Sequence, residues 1–124
     1  MDLFSYHELM ADSLRLRIVN LLIEGPLCVC HFQELLNQPQ VKISKHLGIL
    51  RRKGLLTAKR EGYWMIYELP EEKNGWLRKN LKALKRSRSS ESVLEEDLAR
   101  RERLMISLSR GQSGKVPAEV CSGS

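Results

Sequence analysis

Cys28 and Cys30 stand one residue apart in GPLCVCHFQEL, directly after a Gly25-Pro26 break, and His31 follows the second of them. Two thiols and an imidazole within four positions are groups that bind soft ions or exchange electrons. The flanking pattern predicts that a helix starts near Cys28. Unpaired N–H groups and the macrodipole at such a start favour anions, and so favour thiolate over thiol. Soft thiolates select trivalent arsenic or antimony, Cd(II), Cu(I) or Zn(II). Read as packing alone, the same pair are two small buried apolar residues. Neighbours at i and i+2 on a regular helix do not face each other, so one ion holding both sulfurs would have to deform the first turn. Trivalent arsenic takes three sulfurs, and the third would come from Cys121, far along the chain, or from a small cellular thiol.

A second group of residues bears charge. Between Pro39 and Arg60 lie seven cations, Lys42, Lys45, Arg51, Arg52, Lys53, Lys59 and Arg60, with no acid among them. The whole chain carries only +6, from 21 Lys and Arg against 15 Asp and Glu, so the positive charge is concentrated and fits an anionic partner. Gln40, Lys42, Ser44, Lys45 and His46 fall on one side of a helical stretch whose other side is Ile43, Leu47 and Leu50. Those side-chain types reach phosphates and base edges in a major groove. Arg51 and Arg52 at the end of the stretch, and Lys59, Arg60 and Tyr63 around a following turn, complete the candidate DNA-binding set.

The elements that would position both groups follow from periodicity. Leu14, Ile18, Leu21 and Leu22 form a helical stripe, with Asp12 as its N-cap and Gly25-Pro26 as its stop. A helix precedes it over Leu3 to Met10. The helix from near Cys28 buries Phe32, Leu35 and Leu36, and NQPQ (37–40) is turn chemistry with Pro39 suited to a first helical position. The basic helix runs from about Gln40 to Lys53 and Gly54 ends it. LLTAKR and YWMIYEL then read as two strands, with a tight turn at Glu61-Gly62. Trp76, Leu77, Leu81 and Leu84 mark a further amphipathic helix. The order predicts a mainly α chain with a β-hairpin wing, the winged helix-turn-helix. Residues 1–86 would form the DNA-binding and dimerisation domain, 87–110 a linker and C-terminal helix, and 111–124 a disordered tail.

With 124 residues the chain supports one compact domain. No apolar run approaches the roughly 20 residues that span a bilayer, and MDLFSYHEL lacks the pattern of a signal peptide. Three cysteines, two of them nearly adjacent, fit a reducing compartment, so a cytoplasmic location is expected.

Residues 27–69 resemble the ArsR/SmtB family of metal-responsive bacterial repressors. LCVC is similar to the family's metal-binding box before the recognition helix, and KISKHLGILRRKGLL to its recognition helix and wing entry; with flanking helices the likeness covers about residues 5–85. The resemblance implies a homodimer, joined through the first and post-wing helices on a near-palindromic double-stranded operator. It implies no permanent cofactor. Its expected effector is As(III) or Sb(III), with Cd(II) or Zn(II) as other ions that could occupy the box. The chain departs from the pattern in three places. Gln33 stands where the arsenic-type box often has a third cysteine, His31 where Asp is usual, and Val41 where Pro is frequent. Residues 71–86 hold neither Asp nor His, so the post-wing metal site of zinc and nickel sensors is not expected.

The expected mechanism is release. Binding would draw the sulfurs of Cys28 and Cys30 together, distort the helix start and misalign the recognition helix. Repression gated by oxidants, or by no effector, remains open. A cysteine-dependent enzyme would need a histidine base, and neither His7 nor His46 has an evident orienting partner. A membrane-surface protein would use the same basic helices to bind lipid.

Overall fold

The computed structural model describes residues 1–71 and 75–111. Its elements, in order, are α1 (Leu3–Met10), α2 (Ser13–Ile23), β1 (Leu27–Cys28), α3 (Val29–Leu36), α4 (Gln40–Arg52), β2 (Thr57–Glu61), β3 (Trp64–Glu68), α5 (Gly75–Ser87), a 3-10 turn (Arg88–Ser90) and α6 (Ser92–Gly111). This is the winged helix-turn-helix expected from the sequence. Asp12 caps α2 by accepting the Arg15 N–H at 3.0 Å. The α3–α4 turn is made by Asn37, held at φ 52°, ψ 51°, and by Pro39, which is the N-cap of α4 and not its first helical residue. Ile18, Phe32, Ile43, Leu47, Leu50 and Leu55 are fully enclosed, so α2, α3 and α4 share one apolar interior.

Three features differ from expectation. The hairpin turns one residue later, because Glu61 pairs with Trp64 and leaves Gly62 and Tyr63 as the loop. Gly62 takes φ 61°, the left-handed start that a two-residue hairpin loop requires. Leu55 and Leu56 are buried in the connection before β2 and do not belong to the strand. Most consequential is β1. Leu27 and Cys28 pair antiparallel with Tyr67 and Ile66, so the sheet order is β1-β3-β2 and Cys28 belongs to the wing's sheet as well as to the helix start.

The long α6 packs against α2 and α3. Its Asp97 carboxylate is fully buried and accepts from Arg17 Nε (2.8 Å), Arg17 Nη2 (2.9 Å) and Arg100 Nη2 (2.6 Å). Arg100 Nε donates in turn to the Leu35 carbonyl at 3.1 Å, and Arg88 pairs with Glu24 at 2.8 Å. Residues 87–111 are thereby tied to the body of the fold. The tail expected over 111–124 lies, beyond Gly111, outside the described residues, as does Cys121.

Candidate metal centre and nucleic-acid interface

The backbone places the thiols. Cys28 is extended at φ −96°, ψ 169° and serves as the N-cap of α3, while Cys30 sits in its first turn. Leaving the helix at Cys28 swings its side chain back over the turn. The two sulfurs therefore lie 3.0 Å apart and are each other's partners. This corrects the expectation that the pair diverges and needs a deformed helix: a strand-to-helix junction converges what a continuous helix would separate. Both cysteines are buried.

His31 completes a group in which the three donor atoms lie within 4.8 Å of one another. Its Nδ1 accepts the Cys28 N–H at 3.2 Å, one arm of a capping box across the helix start. Accepting there leaves the proton on Nε2, which is buried with no hydrogen-bond partner among the described residues. Burial, reinforced by the Arg101 guanidinium of α6, pushes the His31 pKa down to about 4. The imidazole is therefore neutral at ordinary pH, and it would serve an ion as a nitrogen donor through Nδ1 only by releasing the Cys28 N–H. The donor set, two sulfurs and one neutral nitrogen, fits a soft or borderline ion. It does not make a nucleophile–base pair, because the nitrogen nearest the chain is already committed to the cap.

The shifted histidine has a consequence for folding. Unfolded chains carry His31 with its ordinary pKa near 6.5, so they bind the extra proton first as pH falls. Its contribution to stability is complete above about pH 6.5 and is lost between there and about pH 4. In His31→Gln the amide oxygen can still accept the Cys28 N–H but does not titrate. The difference in melting temperature between native chain and variant should change across that window and be level above it. A difference that is flat from pH 7 to pH 4 would refute the buried neutral ring.

A cavity of about 200 Å³ adjoins the sulfurs, lined by Cys28, Val29, Cys30, Gln40 and the wing residues Tyr63, Trp64 and Met65. Cys28, Cys30 and Ile66 form their own buried apolar cluster, with Trp64 packed against it. Sequence reasoning did not single out Trp64 or Ile66. The signal available was the period-2 alternation in WMIYE, which puts both on one face.

The candidate DNA face is largely outward. Gln40, Lys42, Ser44 and Lys45 are exposed along the start of α4, Arg51 and Arg52 at its end, and Lys59, Arg60 and Tyr63 around the wing turn. Tyr63 is 91% exposed, and Lys59 makes a long 3.8 Å ion pair with Glu68. His46 is different. Its ring is buried at the start of α2, with Nδ1 3.4 Å from Arg15 Nη1, and burial together with Arg15 lowers its pKa against the pull of Asp12. Arg15 also donates to the Leu9 carbonyl at 2.9 Å. His46 thus joins α4 to α1 and α2, which corrects its placement on the reading face. Among the described residues no helix is long and apolar enough to cross a membrane.

A sequence profile of bacterial regulatory proteins of the arsR family matches residues 12–58. Over 73 residues the chain is 45% identical to the arsenical resistance operon repressor of Escherichia coli strain K12, a match covering 58% of this chain and 62% of that protein. It is 40% identical over 74 residues to the arsenical resistance operon repressor of Bacillus subtilis strain 168, covering 58% of this chain and 70% of that one. Among solved structures, it is similar to the homodimeric winged helix-turn-helix DNA-binding domain of a possible ArsR-family transcriptional regulator from Mycobacterium bovis. There the TM-score is 0.56 at 25% identity, over 65% of this chain and 75% of that domain. The chain spans about three fifths of the length of the Escherichia coli relative.

Proposed function

This chain belongs to the arsR family of bacterial regulatory proteins, and from that premise we propose that it is a DNA-binding transcriptional repressor, released from its operator when a trivalent metalloid binds Cys28 and Cys30. The observation that carries the reading is the 3.0 Å approach of the two buried sulfurs at the junction of α3 with the wing. Reduced, the two sulfurs would offer an ion two soft donors beside Gln40, the start of the basic α4. Arsenite or antimonite would take these two and a third sulfur, from Cys121 or a small cellular thiol.

The repressor acts as a homodimer on double-stranded DNA, since paired recognition helices read two half-sites about one helical turn apart. Helices α1 and α5 supply the apolar surface for it. They lie side by side through the edge-to-face contact of Tyr6 and Trp76, 5.8 Å between centroids, and Phe4 next to them is 88% exposed. The relatives that carry a functional name are repressors and regulators, and no enzymatic role is proposed.

A second reading rests on His31. Its membership of the same donor group favours Cd(II) or Zn(II), which accept imidazole nitrogen where As(III) prefers a third sulfur. Fluorescence anisotropy separates the readings, using an operator fragment from upstream of the protein's own gene and a non-thiol reductant. Arsenite and antimonite should dissociate the complex at lower concentrations than Cd(II) or Zn(II). Release by peroxide alone, or by no agent, would sink the metalloid assignment.

The DNA face has its own test. Lys59→Ala should weaken binding to every sequence and reduce the slope of log affinity against log salt by about 1. Gln40→Ala should alter operator preference and leave that slope in place. If both variants bind as the native chain does, the reading face lies elsewhere.

A further inference from the structure

We propose that an ion at Cys28 and Cys30 is reported to DNA through the wing, by way of Ile66 and Trp64, and not through distortion of the recognition helix; this rests on the ion-gated repression proposed above.

The first argument is geometric. The sulfurs are already 3.0 Å apart. An ion that takes both sulfurs must reposition Cys28, which is at once the N-cap of α3 and a residue of β1, paired with Ile66 of β3. The open question is which neighbour yields.

The α3 side is firmly held. Phe32, Leu35 and Leu36 are buried in the main interior, and Arg100 of α6 bonds the Leu35 carbonyl. The wing side is held by little. β1 is two residues long, with Cys28 opposite Ile66 and Leu27 opposite Tyr67. The sulfurs' own apolar neighbours are Ile66 and Trp64, in a cluster separate from the one that contains Ile43, Leu47 and Leu50 of α4. The 200 Å³ cavity beside the sulfurs is lined by Tyr63, Trp64 and Met65 of the wing and by Gln40 alone from α4, so most of its wall beyond the α3 start belongs to the wing. Repositioning Cys28 thus presses on the base of β3. The hairpin turn lies about three residues farther along, roughly 10 Å away at strand spacing. That lever carries Lys59, Arg60 and Tyr63, the wing's candidate phosphate contacts.

The experiment compares operator affinity with and without arsenite, and separately with Cd(II), in a non-thiol reductant. The native chain should show a ratio of about 5- to 150-fold. In the double variant Lys59→Ala, Arg60→Ala the wing no longer contributes phosphate contacts, so apo affinity falls and the ratio should collapse to below about threefold. Lys42→Ala, Lys45→Ala should weaken both states alike and keep the native ratio. In a Trp76→Phe background Trp64 is the only indole, and its emission should change at the same ion concentration that releases DNA. A native ratio in the wing variant, with the ratio lost in the α4 variant, would overturn the wing route while leaving ion sensing intact. A native chain that binds neither ion would instead overturn the sensing reading itself.

Discussion

Asp97→Ala should cost about 3 kcal/mol of folding stability, the usual consequence of removing one partner from a buried ion cluster. The carboxylate is wholly enclosed and receives three guanidinium N–H groups, two from Arg17 on α2 and one from Arg100 on its own helix. Without it, two arginines face each other across an apolar seam, and Arg17, only one-fifth exposed, has little water to turn to. Arg100 would also lose the anchor that aims it at the Leu35 carbonyl. A loss of that size lowers the melting temperature of a domain this small by about 10–15 °C. Burial shields the cluster from counterions, so the drop should persist at 1 M salt, unlike that of an exposed pair. The cluster is not thereby a net source of stability. Replacing Arg17, Asp97 and Arg100 together with apolar residues of similar volume should restore much of the loss, because the desolvation cost of three charges disappears along with their attraction. A single Asp97→Ala variant that melts within 2 °C of the native chain would show that α6 is not seated through this carboxylate.

The sequence showed α2, α3, α4, the hairpin and α5 because their apolar residues repeat with clear periods and their ends carry Asp12, Asn37-Gln38-Pro39 and Gly54. It hid the role of α6. Leu94, Leu98, Leu104 and Met105 trace a stripe, but Asp97 interrupts it, and an acid in an apolar stripe looks like solvent-facing surface until its basic partner, 80 positions away, is known. The reverse signal was present: a lone acid on the buried side of a helix must be paired or neutral. His46 was misplaced for the same kind of reason. Its position at i+4 from Lys42 suggested the groove-facing side, yet the α4 surface that meets α2 is wide enough to take the ring in, where Arg15 reaches it. The two-residue β1 lies below the length at which any alternation can be recognised, so nothing in LC announced that Cys28 shares a sheet with the wing. The thiols themselves were visible from spacing. Their convergence was not, because it depends on one backbone turn at Cys28 and not on side-chain type.

That turn makes the two cysteines unequal, and Cys28→Ser and Cys30→Ser should reveal it. Both variants should lose release of operator DNA by arsenite, the ratio of affinities with and without ion falling from about 5- to 150-fold to near 1, since a single remaining sulfur no longer chelates. Their effects on the apo protein should differ. Cys28 is the N-cap of α3, and serine is among the residues preferred there, so Cys28→Ser should keep the capping box with His31 and bind DNA with native affinity at native stability. Cys30 is buried in the first turn against Ile66. A hydroxyl there replaces a sulfur in contact with Cys28 Sγ and buried in an apolar cluster, so Cys30→Ser should lower stability by about 1–2 kcal/mol. Anisotropy with arsenite reads the first effect and thermal melting the second. If Cys28→Ser still leaves the operator at native arsenite concentrations, the ion is held elsewhere. If Cys28→Ser is the less stable of the two, the cap geometry assigned to it is wrong.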